Sequence, residues 1–162
     1  MNVNRGKQFE QVIRDAFNKV ENCCIIRLQD NMSGFKGANT ICDFIIYKYP
    51  YQYFIECKSV HGNILPFSNI TKNQWDGMLK MSKKLGVRAG VICWWVDKDV
   101  TKFIPIELID DYKRSGAKSI RYDFEEVGYQ TDYFTPAFTL EGNKKRVFFD
   151  YNMNFFFNMF ET

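Results

Sequence analysis

Histidine is almost missing from this chain. His61 is the only one among 162 residues, so neither a histidine-rich zinc cage nor a paired-imidazole relay can be assembled. The five cysteines, Cys23, Cys24, Cys42, Cys57 and Cys93, form no CxxC pair. They read as reduced members of apolar strands in a cytosolic protein, which argues against a disulfide frame or a zinc ribbon. No apolar run approaches the ~18 residues a membrane-spanning helix needs. The N-terminal stretch is charged and amphipathic, so no signal peptide is expected either. Proline is limited to four residues, and no Pro-, Gly- or Ser-rich linker divides the chain. A single domain over residues 1–162 is expected. The net charge is only +3, which does not by itself identify a nucleic-acid binder.

What the chain does have is apolar and aromatic mass, 46% and 17% of its residues, enough for a substantial core and too much for a disordered segment. Phe9, Val12, Ile13, Ala16, Phe17 and Val20 recur at helical spacing, predicting an amphipathic helix over Arg5 to Val20. Glu10 falls at the border of that stripe. Cys23 to Leu28 reads as a short strand, followed by the Gly- and Asn-rich loop Asn31 to Thr40. A second helix is expected over Thr71 to Leu85, with Leu85 facing inward and Gly86 as its stop. Its first residues, Thr71-Lys72-Asn73-Gln74, match a capping box. Val87 to Val96 reads as a buried central strand, Thr101 to Ile104 as its neighbour, and Pro105 as the opening of a short helix to Arg114. Beyond that the chain is aromatic and irregular, with a strand at Arg146 to Tyr151. Helices and strands in this order give an α/β class fold, a central mixed β-sheet flanked by helices.

Chemistry concentrates between residues 41 and 58. Ile41 to Tyr47 and Tyr53 to Lys58 are strand-like, and Tyr49-Pro50-Tyr51 turns one into the other. A hairpin pairing Lys48 with Tyr51 puts Asp43 opposite Glu56, both carboxylates on one face. Lys58 joins that face and Cys57 points to the other. Like charges directly across a ladder repel. Two accounts are open here: a wet-faced hairpin whose Asp, Glu and Lys pair structurally, or a site in which a divalent cation removes the conflict. Mg²⁺ is bound by one or two carboxylates and keeps room for waters and a phosphate, and Lys58 would add positive charge where a phosphoryl group reacts. The carbonyl of Cys57, between the two functional side chains, is expected to face the same cation. His61 follows in a turn and reads as a solvated loop residue.

These pieces resemble the PD-(D/E)xK nuclease superfamily, and within it the Holliday junction resolvases of the RecU type. Arg5-Gly6-Lys7-x-Phe9-Glu10 looks like that family's opening helix, with Glu10 at its acidic position. Asp43, Glu56 and Lys58 fall on its Asp…Glu-x-Lys pattern, and Gln74 matches a glutamine of its site. Lys118-Ser119-Ile120-Arg121 and Glu125-Glu126-x-Gly128-Tyr129 are similar to a stretch near the family's C-terminus. The archaeal junction resolvases share the first helix and Lys102-Phe103-Ile104-Pro105. The resemblance implies a restriction-endonuclease-like fold and a Mg²⁺-dependent endodeoxyribonuclease, with Mn²⁺ able to substitute, that resolves four-way DNA junctions. Asp43, Glu56, Lys58, Glu10 and Gln74 would be its catalytic set; Asp43, Glu56, Glu10 and the Cys57 carbonyl would hold the metal. Another DNA endonuclease of the superfamily, restriction-like or a nickase, and a recombination factor with a vestigial site are the alternatives.

One departure from the family bears on the substrate. RecU proteins carry a long basic stalk between the first strand and the catalytic Asp, whereas here a short loop from Asp30 to Ile41 fills the interval, as in phage-encoded members. Phe35 and Lys36 in that loop are expected to stack on an unpaired base and meet a phosphate. Arg5, Lys7 and Lys72 on the two helices are expected to contact the DNA backbone. A homodimer follows from the need for two symmetric nicks. The segment 117–162, above all Phe148 to Phe160, and Trp94-Trp95 are expected either to form its interface or to complete the monomer core. The implied location is the cytoplasm of a bacterial host cell.

Overall fold

The computed structural model describes residues 4–29, 40–124 and 135–161. In chain order the elements are α1 (Arg5–Asn18), β1 (Cys24–Arg27), β2 (Phe44–Lys48), β3 (Tyr51–Val60), β4 (Ile64–Pro66), α2 (Lys72–Ser82), β5 (Val87–Trp95) and β6 (Val100–Pro105). Then follow α3 (Ile106–Arg114), β7 (Ser119–Arg121), β8 (Phe138–Thr139), β9 (Gly142–Lys144), β10 (Phe149–Tyr151) and α4 (Met153–Asn158). Six strands form the main sheet in the order β1-β2-β3-β5-β6-β8. Its centre is the parallel pair β3 and β5, joined by a crossover through α2, and every other pairing in it is antiparallel. This is the mixed sheet flanked by helices that the sequence implies.

Alternation along the central strands builds two cores. Tyr53, Ile55, Cys57, Ile92 and Trp94 face α1 and α4, while Phe54, Val60, Val91, Cys93 and Trp95 face α2 and α3. The functional face of β3 follows from this pleat, because Glu56 and Lys58 share the parity of Phe54 and Val60. They therefore project towards α2. Among the described residues, no helix is long and apolar enough to cross a membrane.

Several sequence expectations change. Helix α2 stops at Ser82, whose hydroxyl donates to the Leu79 carbonyl at 2.8 Å. Leu85 is 99% exposed instead of buried. Gly86, at φ +76°, serves the Lys84–Val87 turn and does not cap the helix; a positive φ there is what glycine allows without a Cβ clash. The stretch read as irregular contains α4, whose N-cap Asn152 accepts from the Phe155 N–H at 3.3 Å. Phe156, Phe157 and Phe160 then pack on Tyr53 with ring centroids 5.1–5.6 Å apart. These rings complete the monomer core. Trp94 and Trp95 are also core, at 1% and 0% exposure, so neither offers a docking surface. Cys24 is exposed rather than packed, and all five cysteines are free.

Candidate functional site

The hairpin register is the one the turn dictates: Lys48 pairs with Tyr51 and Phe44 with Ile55. The ladder ends at Phe44, one residue short of Asp43. Asp43 is nonetheless pinned from both sides, its N–H donating to the Ile55 carbonyl at 3.1 Å and its carbonyl accepting from the Leu28 N–H at 2.8 Å. With no backbone partner left across from Cys57, the Cys57 N–H donates to Asp43 Oδ2 at 2.7 Å. The N–H and C=O of one strand residue project to the same side, so the Cys57 carbonyl is directed to the Asp43 side of β3.

Glu56 lies only 3% exposed. Its Oε1 accepts from Gln74 Nε2 at 2.9 Å and from Lys58 Nζ at 2.9 Å. Its Oε2 is buried and reached by no N–H or hydroxyl group, and the neighbouring Asp43 carboxyl hydrogen-bonds to Glu56. Gln74 is oriented from behind by the start of α2. Its Oε1 accepts from the Thr71 N–H at 3.0 Å, and its own N–H donates to Thr71 Oγ1 at 3.2 Å. The capping box and the contact to Glu56 are therefore one structure, because occupying the amide oxygen on Thr71 turns the amide nitrogen towards the sheet.

The electrostatics favour a proton or a cation here. Burial, then the neighbouring Glu56 carboxylate, pushes Asp43 from the ordinary 3.8 up to about 8, against the pull of the Cys57 N–H. Burial lifts Glu56 as well, opposed by Lys58. Two buried carboxyl groups in contact disfavour a second negative charge, and a small hard cation in place of the Asp43 proton would stabilise both carboxylates. Among the described residues no three His, Cys, Asp or Glu side chains converge as a ready-made cage. The residues present still fit Mg²⁺, which binds through one or two carboxylates plus water and phosphate oxygens.

Glu10 approaches from α1, on the opposite face of the sheet. It is near enough to disfavour ionisation of Asp43 and Glu56, but its Oε2 accepts from an Arg27 guanidinium nitrogen at 3.1 Å. Asp43, Glu56, Lys58 and Gln74 are thus brought together and Glu10 is held beside them. The cations expected to meet DNA are divided. Lys7 lines a cleft on α1, and Arg5 sits over the Trp94 ring at 5.8 Å. Lys72 stands at the start of α2, across the sheet from both, paired with Asp76. Phe35 and Lys36 lie outside the described residues. His61 is exposed as expected, its Nδ1 3.0 Å from Asp97 Oδ1. Arg27, on an edge strand, is the site neighbour that sequence reasoning missed; no local motif marks a side chain that meets its partner across two elements.

No protein-family model and no curated protein matches the chain. Among solved structures it is similar to Hjc of Archaeoglobus fulgidus, a Holliday junction resolvase from an archaeal hyperthermophile. That similarity has a TM-score of 0.47 at 17% identity and covers 63% of this chain and 78% of that one.

Proposed function

We propose that this chain is a metal-dependent endodeoxyribonuclease of the PD-(D/E)xK type, cutting branched DNA. The observation that carries the reading is the buried Glu56 carboxylate, held through Oε1 by Gln74 and Lys58, directly beside the carboxyl of Asp43. A purely structural hairpin gains nothing from two carboxyl groups placed in this way. Asp43 and Glu56 would hold Mg²⁺ or Mn²⁺, with the Cys57 carbonyl and, once released from Arg27, Glu10. When bound, the cation supplies Lewis-acid polarisation of the phosphodiester. The Lys58 amine, 2.9 Å from Glu56 Oε1, would orient the attacking water by hydrogen bonding. Gln74 fixes the Glu56 carboxylate through Oε1 and leaves Oε2 for the cation.

The four-way junction as substrate follows from the RecU-like order of motifs, as do the homodimer that would place two nicks symmetrically and action in the host cytoplasm. Labelled four-way junction, plain duplex and single strand, incubated with and without Mg²⁺, test the reading. Symmetric nicking of the junction only with Mg²⁺ is expected. Equal cutting of duplex would leave a nuclease without junction selectivity, and no cutting of any substrate would remove the enzyme reading.

A further inference from the structure

Between α1 and β1, beside the carboxylate pair, lies a cleft of about 390 Å³ lined by Lys7, Glu10, Gln11, Arg14, Arg27 and Phe44. Three of those side chains are cationic and one is a carboxylate, the one already paired with Arg27. The Arg27–Glu10 pair is partly exposed, with 35% and 20% of the side chains accessible. A pair so exposed is only weakly stabilising, so it can be exchanged. A phosphodiester presents two oxygens to the guanidinium fork in place of the carboxylate.

We infer that this cleft binds a backbone phosphate of the DNA strand and that Arg27 is a positioning residue coupling that contact to metal binding. Without DNA, Arg27 holds Glu10 away and the pocket has two carboxylates. A phosphate in the cleft takes over the guanidinium and frees Glu10. The third carboxylate then faces Asp43 and Glu56, where its negative charge favours a cation and disfavours an empty pocket. Cation and DNA therefore raise each other's affinity by the same factor. The inference rests on the nuclease reading of the carboxylate pair.

The test is a binding measurement that needs no turnover. Mg²⁺ affinity is measured by calorimetry on DNA-free wild type, Arg27→Gln, Glu10→Gln and the double variant, with thermal unfolding to verify folding. Arg27→Gln should bind Mg²⁺ on the order of 5-fold or more tightly, the lower end of ordinary coupling. Adding Glu10→Gln should cancel that gain. A gain that persists in the double variant reflects only the lost positive charge and overturns the inference, as does no gain at all.

A second arm compares duplex affinity by fluorescence anisotropy with Mg²⁺ or EDTA, in a Lys58→Ala background that suppresses cutting. Mg²⁺ should tighten duplex binding there and not when Arg27→Gln is added. Equal tightening with and without Arg27 counts against the coupling while leaving the metal site intact. If wild type binds no Mg²⁺ with or without DNA, the nuclease reading fails together with the inference.

Discussion

Gln74 donates to Glu56 Oε1 at 2.9 Å with the same side chain that closes the cap on Thr71. A helix start is thereby used to aim a carboxylate on the neighbouring strand. Thr71→Ala should cost about 1 kcal/mol of stability, the usual value of an N-cap, and should also lower kcat by loosening Gln74. Gln74→Ala should lower kcat more than it raises KM, since it leaves every basic DNA contact in place. Steady-state kinetics alongside thermal unfolding separate the two effects. A Gln74→Ala enzyme with unchanged kcat would reduce the contact to simple capping.

The raised Asp43 carboxyl sets a pH dependence of definite sign. The folded chain keeps this proton up to about pH 8, whereas the unfolded chain gives it up near 3.8. Between those values the metal-free fold binds more protons than the unfolded chain, so it loses stability as pH rises through the window. Asp43→Asn should flatten that slope. For the same reason Mg²⁺ binding near pH 7 should release about one proton and strengthen towards pH 8. Calorimetry in buffers of different ionisation enthalpy reads the proton count, and zero release would contradict the shared pocket.

Gly77 places α2 against the chain entering β2. A Cβ at this position would fall on Ile41 Cγ2 and 2.7 Å from Ile41 Cβ. Helix propensity alone favours Gly77→Ala by about 1 kcal/mol, yet the clash would push α2, and Gln74 with it, away from the sheet. Activity should fall without a gain in stability, and Ile41→Ala in the same chain should restore part of it. A more stable and fully active Gly77→Ala protein would show that α2 is not held by this approach.

DNA binding should be strongly salt-dependent, each neutralised phosphate adding about −0.9 to the slope of log affinity against log salt. Lys7→Ala and Arg14→Ala should each flatten the slope by about one unit with little change in sequence preference. Titrations from low to moderate salt measure this directly, and a flat wild-type response would sink the DNA-binding claim.

The hairpin was legible because a short turn at Tyr49-Pro50 leaves only one register, and alternation then fixes the faces of Glu56, Cys57 and Lys58. The cap on α2 was legible because Thr71 and Gln74 are three residues apart. Helix α4 was not, since Phe155-Phe156-Phe157 is apolar on every side and shows no period; Asn152 was the only local sign of its start. Leu85 continued the helical period of α2 past the point where Ser82 ends it. The Glu10–Arg27 pair was invisible because it depends on how α1 packs against β1.

The most direct measurement of the central claim is the Asp43→Asn variant assayed for junction cleavage in Mg²⁺ and for junction binding in EDTA. Losing a second-layer partner of a metal ligand typically costs 10–100-fold, so losing the ligand itself should lower cleavage by more than about 100-fold. Binding should stay close to wild type because the basic contacts are untouched. Normal cutting by Asp43→Asn would contradict the assignment of this carboxylate pair as the metal-holding site.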